Sequence, residues 1–306
     1  MRLIPQALIW ITTPEDGVEY DMTGYAERFW VGDSGLGMPP VRRIEERGPQ
    51  QHGATDLGFR LDVREFSIVF GFPSTGGLVY WQKRREILDI FKPSDDPLLI
   101  TLQSFDTEDF KRAIEFHYLS DLELSTEQSA DIDEAGTWDL VAVRLRAPDA
   151  VWFDPTQKIS TIETIDVSGM NIDTEVPTFL GGTLLAGSID IDYQGSWSEY
   201  PVIVITGQIT DPIITNTLTG EVLDFTGYTV SAGDELRIDL RYGVKTVVDL
   251  AGNNKIGELS ADSDLATWHV QHARAGAQNN SIQATGSGTD ANAQVAIQYY
   301  DRYIGV

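Results

Sequence analysis

The stretch Pro201–Gly257 constrains the fold more than any other part of this chain. It reads PVIVITGQITDPIITNTLTGEVLDFTGYTVSAGDELRIDLRYGVKTVVDLAGNNKIG. Val202 to Thr206 is a Val/Ile run closed by Gly207, and Pro212 to Asn216 is a second such run. Glu221 to Val230 follows the Thr219-Gly220 turn, and Glu235 to Leu250 folds back at Tyr242-Gly243. Short β-branched runs punctuated by Gly, Asn, Asp and Pro predict an antiparallel β-sandwich.

The first half has a different texture. Arg2 to Thr12 and Glu27 to Val31 read as strands, followed by a Gly/Pro-rich connector, GDSGLGMPPVRR, ending at Arg42 and Arg43. That connector predicts a surface loop, or an arm reaching a neighbour. Phe59 to Phe72 alternates as a strand, and WQKRREILDIFK then changes period. Trp81, Leu88 and Phe91 fall on one stripe of a 3.6-residue repeat, so a helix is predicted over Trp81–Lys92, stopped by Pro93. Its basic cluster, Lys83, Arg84 and Arg85, reads as a solvated face or as a patch against acidic surface on another subunit. Leu98–Leu102, Phe110–Leu124 and Trp138–Phe153, with a bend at Pro148, complete an α+β unit that closes at Asp154-Pro155. The chain is therefore expected to be mainly β with two domains, residues 1–154 (α+β, one helix) and 155–306 (the antiparallel β-sandwich).

Composition excludes several function classes. At 306 residues and 42% apolar, the chain can bury two cores. No run approaches the ~20 apolar residues of a spanning helix, so membrane insertion is not expected. The brief apolar run at the start, interrupted by Pro5, reads as a strand rather than a signal peptide. With no cysteine there is no disulfide, thiolate nucleophile or Cys-based zinc site. The net charge of −25 is shared: residues 1–154 carry 28 acidic and 15 basic side chains, residues 155–306 carry 19 and 7. Such a chain is a poor partner for duplex DNA, whose affinity rests on Lys and Arg at phosphates. Its acidity suits either a passage through which DNA slides without sticking or a saline habitat.

Catalytic patterns are missing. There is no G-x-S-x-G and no Walker loop, and Gly286-Ser287-Gly288 reads as a loop. His269 and His272 lie three apart in WHVQH and would face opposite sides of an extended segment; His52 and His117 have no partner in sequence. Asp131, Asp133 and Glu134, and Asp262 with Asp264, lack the spacing of an EF-hand and read as solvated acidic loops. The expectation is a non-enzyme with no catalytic, metal or cofactor-binding residues. Aromatic residues such as Trp197, Tyr228 and Trp268 are candidates for stacking on sugars, although packing is the commoner use.

The opening stretch resembles the C-terminal domain of siphophage distal tail proteins. The resemblance lies in Pro201-Ile203-Ile205-Gly207, Pro212 with Ile214 and Asn216, Thr219-Gly220, Gly233-Asp234, Leu236-Ile238-Asp239 and Thr246-Val247-Val248. Asn253-Asn254 and an Asn279-Asn280-Ser281-Ile282 turn extend it. It covers about half the chain and rests on structural residues. The N-terminal half fits more loosely, through its strands, the helix ending at Pro93 and the Ala150–Pro155 exit.

That resemblance implies a structural virion component at the distal end of a bacteriophage or archaeal virus tail, assembled in the host cytoplasm. The N-terminal domain would close into a hexameric homo-oligomeric ring coaxial with the tail tube. The ring would join tail tube protein to the baseplate hub or fibre protein and carry receptor-binding proteins. DNA would pass through its lumen during ejection without specific binding. The C-terminal domain would be a galectin-like or carbohydrate-module-like sandwich. Arg42, Arg43, Trp81, Lys83, Arg84 and Arg85 are the subunit-interface candidates. The competing reading is a carbohydrate-binding module for host-surface attachment; a glycoside hydrolase on a sandwich scaffold ranks last.

Overall fold

The structure, a computed structural model, describes residues 7–24, 28–73, 77–106, 110–124, 138–166, 183–272 and 279–306. The acidic loop containing Asp131, Asp133 and Glu134 lies outside the described residues. The chain is mainly β, and it forms two compact units: Met1–Pro155 with Tyr303–Val306, and Thr156–Arg302. Tyr303–Val306 thus pack with the first unit although they follow the second in the chain.

In the first unit the strands are β1 (Ala7–Thr12), β2 (Glu19–Asp21), β3 (Phe29–Ser34), β4 (Val41–Glu46), β5 (Thr55–Leu61) and β6 (Arg64–Pro73). Helix α1 (Gly77–Ile90) follows, then β7 (Leu98–Ser104), β8 (Lys111–Ser120), β9 (Trp138–Ala147) and β10 (Trp152–Phe153). The main sheet runs β2-β1-β7-β8-β9-β6-β3, while β4 and β5 form a separate two-stranded sheet. Strand β6 shows why the sheet has one dry face: Arg64, Phe66, Ile68, Phe70 and Phe72 alternate inward. Its partner β9 repeats the pattern, pairing Phe66 with Leu145, Ile68 with Val143 and Phe70 with Val141. Phe70 stacks on Phe91 at 5.9 Å between centroids, and Phe66 meets Phe116 edge-on at 5.8 Å. Each such side chain contributes roughly 1.5–3 kcal/mol on burial. At Gly71 an added Cβ would lie 2.2 Å from the Phe29 ring, so the β3–β6 pairing depends on that glycine.

The helix begins earlier than its sequence pattern indicates, and this changes its buried stripe. Tyr80, Ile87, Ile90 and Phe91 are buried, whereas Trp81 and Leu88 are exposed. Starting the pattern at Trp81 omits Tyr80, the residue that anchors the inward face: its hydroxyl donates to Asp139 at 2.7 Å. Trp81 and Leu88 therefore belong to the outward stripe, a correction to the sequence reading.

The second unit contains β11 (Lys158–Glu163), β12 (Ile165–Asp166), β13 (Thr183–Ile191), β14 (Val202–Thr206), β15 (Ile209–Asn216) and β16 (Glu221–Asp224). It continues with β17 (Thr229–Val230), β18 (Glu235–Asp239), β19 (Thr246–Asp249), β20 (Asn280–Thr289) and β21 (Gln294–Tyr299), and a last short strand, β22 (Arg302–Tyr303), follows. Two antiparallel sheets, β11-β21-β14-β18-β19 and β12-β13-β20-β15-β16, share one core. Ile203, Ile205, Leu236, Ile238 and Val247 meet Leu185, Ile209, Ile214, Leu223 and Ile282 there. Gly207 turns β14 into β15 with φ +79°, and a Cβ would lie 2.7 Å from the Ala293 backbone.

Two loop readings are corrected. Gly286-Ser287-Gly288 lies within β20, beside register shifts that absorb its irregular backbone. Asn280 opens that strand instead of a turn. It is buried, accepts from the Gln271 amide at 2.8 Å and receives a bond from the equally buried Asn216 at 3.3 Å. Among the described residues no helix is long and apolar enough to cross a membrane.

Candidate assembly surface

The β4–β5 hairpin forms a two-stranded sheet apart from the larger sheets of the described residues. Cross-strand partners run from Val41–Leu61 to Glu46–Thr55, with a register shift between Ile44 and Glu45. Every residue of β4 is exposed, and β5 is nearly so. Apolar side chains that normally seek a core stand in solvent: Val41, Ile44, Leu57 and Phe59, with Met38 beside the root. An isolated two-stranded hairpin is marginal in water. Cross-strand polar contacts add little here: Arg42 pairs with Asp62 at 2.9 Å and Arg43 with Asp56 at 3.0 Å, both on exposed side chains. Arg43 also lies over the Phe59 ring at 5.6 Å.

What holds the hairpin is its root. Arg64, the first residue of β6 and three beyond the end of β5, is fully buried, and its guanidinium donates to backbone carbonyls. Nη1 reaches Gly35 at 3.0 Å, Leu36 at 2.9 Å and Gly37 at 2.6 Å, on the segment leading into β4. Nε and Nη2 reach the Ala150 carbonyl at 2.9 and 2.8 Å, and Nη2 reaches Ile304 at 2.9 Å. Burial pulls its pKa down to about 10, which still leaves it charged at neutral pH. One planar, five-donor group thus ties together both roots of the hairpin and the returning segment Tyr303–Val306.

The sequence-derived interface candidates divide between two elements. Arg42 and Arg43 stand on the hairpin. Trp81, Lys83, Arg84 and Arg85 stand on α1, where all four make local contacts. Lys83 pairs with Glu86 at 3.3 Å. Arg84 donates to Tyr80 Oη at 3.0 Å and to the Leu124 carbonyl at 3.1 Å, while covering the Trp81 ring at 5.2 Å. Arg85 is strongly exposed and only 3.9 Å from Asp89. Trp81 presents a half-exposed ring, and Trp138 and Leu140 add exposed apolar area on β9. Sequence reasoning missed Leu57, Phe59 and Arg64. The available signal was charge: residues 41–61 hold Arg42, Arg43, Arg47 and Arg60 against Glu45, Glu46 and Asp56, a locally basic segment in a chain of −25.

The stacking candidates fare differently in the second unit. Trp268 is fully buried in the sandwich core and presents no ring to a ligand, which corrects the sequence reading. Tyr228 packs against that core with Lys255 over its ring at 5.8 Å. Trp197 is half-buried and bridges to Arg302. Asp264 accepts from the Val222 amide at 2.9 Å, a structural bond within the loop read as solvated. Among the described residues, no group of three or more His, Asp and Glu side chains is arranged to hold a metal. An open cleft of about 380 Å³ in the first unit is lined by Glu15, Asp16, Tyr20 and Asp89 and flanked by the Lys92–Glu15 ion pair at 2.6 Å.

No protein-family model matches the chain, and no curated protein matches it in sequence. Among solved structures, a chain of the phage P2 baseplate in its activated conformation with Ca aligns over 95% of this chain and 97% of its own, at TM-score 0.49 and 10% identity. The Dit protein of phage SPP1, described as a paradigm of the hub adsorption apparatus in phages that infect Gram-positive bacteria, aligns better. It covers 96% of this chain and 98% of its own, at TM-score 0.63 and 14% identity. Across both units, therefore, this chain is similar in fold to a phage distal tail protein.

Proposed function

We propose that this chain is a structural, non-catalytic component of a phage tail tip, the hub between tail tube and baseplate. Copies associate head-to-tail through the first unit into a closed ring of six. Tail tube protein lies on one side, the hub or fibre protein on the other, and receptor-binding proteins attach at the periphery. The observation that carries this reading is the β4–β5 hairpin, a pair of strands on which Val41, Ile44 and Leu57 are exposed to solvent. Apolar residues exposed together on one hairpin mark an interaction site. The occupant is a second copy of the chain. A locally basic hairpin suits the acidic surface of a like molecule, and heterologous contacts close into rings when the rotation closes. The acidity of the ring lets DNA pass by repelling its phosphates.

Sedimentation velocity and negative stain of the full chain test the reading. A ring-sized species is expected, and Leu57→Asp with Phe59→Asp is expected to leave folded monomers with unchanged far-UV circular dichroism. A wild type that stays monomeric across concentration and in the presence of its tail partners overturns it.

A further inference from the structure

The first unit holds a second surface, opposite in charge to the β4–β5 hairpin. The turn from β1 into β2, with β2 itself, carries Glu15, Asp16, Glu19 and Asp21 and no basic side chain. All four are exposed. The end of α1 and the segment after it share the cleft of about 380 Å³ with that turn. They add Asp89, Asp95 and Asp96 against Lys92, whose ammonium is taken by Glu15 at 2.6 Å. Val18 stands exposed on the same turn, so the surface is acidic with an apolar point at its centre.

Its position matters as much as its charge. Strand β2 is one edge of the main sheet, and β3 is the other. The hairpin grows from the β3 side, because β4 follows β3 and β5 runs into β6, the neighbour of β3. Six strand spacings of ~4.8 Å separate the two edges by about 29 Å, too far for ion pairing within one chain. Both surfaces are left with unanswered charge. On the hairpin, Arg47 and Arg60 are exposed and form no ion pair among the described residues. At the opposite edge the same is true of Glu19, Asp95 and Asp96. A heterologous contact requires this arrangement, two different and complementary surfaces on opposite sides of one unit.

We propose that the acidic β2 edge is the seat of the neighbouring copy's β4–β5 hairpin. The proposal rests on the ring reading and adds to it the face that receives the hairpin. Arginines of one copy meet carboxylates of the next, which fixes the direction of assembly and disfavours hairpin against hairpin or edge against edge. Ile44 and Leu57 gain Val18 and the mouth of the cleft as apolar cover. Among the described strands β2 pairs only with β1, so its outer backbone groups are open to a strand of the incoming hairpin.

Charge reversal in the full chain, read by sedimentation velocity across concentration, tests this assignment. Glu19→Lys with Asp95→Lys is expected to weaken ring assembly about tenfold, and Arg47→Glu with Arg60→Glu by a similar factor. A chain carrying all four substitutions is expected to recover most of the loss, because opposite charges face each other again. The sign is informative: in a chain of −25, two added lysines away from a contact reduce general repulsion and strengthen association. Melting temperatures read in parallel separate loss of contact from loss of fold. Wild-type or stronger assembly with Glu19→Lys and Asp95→Lys, or no recovery in the fourfold variant, overturns the proposal and leaves the ring reading standing. A wild-type chain that forms no ring overturns both.

Discussion

The hairpins Val41–Leu61 and Glu235–Asp249 obey the same local rules and reach opposite environments. In the second, Leu236, Ile238 and Val247 are fully buried, and β18 pairs with β14 inside a five-stranded sheet. In the first, the apolar residues face water and neither strand joins the main sheet. Strand propensity thus settles that a segment pairs, and composition settles what it pairs into. An apolar face without charges is absorbed by its own chain. An apolar face interleaved with arginines stays soluble in the monomer and remains available to a partner.

The largest expected effect lies at the root of the first hairpin. Arg64→Met leaves the buried Ala150 carbonyl without its donor and the Leu36 carbonyl with only the Trp152 indole, and should remove about 4 kcal/mol from the first unit. Calorimetry should show its transition collapse while that of the second unit stays in place; a shift of both would mean that the units do not unfold separately.

The next effect contrasts the hairpins directly. Ile238→Ala empties a fully buried position and should cost about 3 kcal/mol. Phe59→Ala, on a half-exposed side chain, should change monomer stability by about 0.5 kcal/mol or less. Equal losses in urea denaturation would show that the first hairpin is buried after all.

The smallest effect is acid sensitivity in the turns of the second unit. Asp224 is held below the usual carboxylate range by the Thr226 hydroxyl and then its amide, and Asp249 by the Asn253 side chain and then its amide. A lowered folded-state pKa stabilises above the unfolded value near 3.9, and that contribution disappears as pH falls through the folded one. Melting of the second unit should hold from pH 7 to about 5 and drop by a few degrees toward pH 3. A flat profile would mean these carboxylates hold no such bonds in solution.

Sequence legibility followed the range of the interactions. The sandwich hairpins could be read because β-branched runs and turn glycines act over a few residues; β14 has the same bounds in sequence and structure. The helix was found, but its buried stripe was misplaced because Tyr80 lies one residue before the apparent start. Arg64 gave no signal, since its carbonyl partners lie far along the chain in both directions and carbonyls belong to every residue. An aromatic cluster in the second unit was hidden for a related reason. Tyr200, Tyr242 and His269 lie far apart in the chain and meet only in the folded sandwich.

The contact between Arg64 and Ile304 also imposes an order in time. The first unit contains residues on both sides of Thr156–Arg302 in the chain, so the last bond of its buried guanidinium waits for Ile304 to be synthesised. At about 5–20 residues per second, the second unit takes roughly ten seconds or more to leave the ribosome, ample time for it to fold first. The N-terminal unit begins first and finishes last. A chain halted early therefore lacks the Arg64 closure, and only molecules already carrying a sandwich have the hairpin root complete.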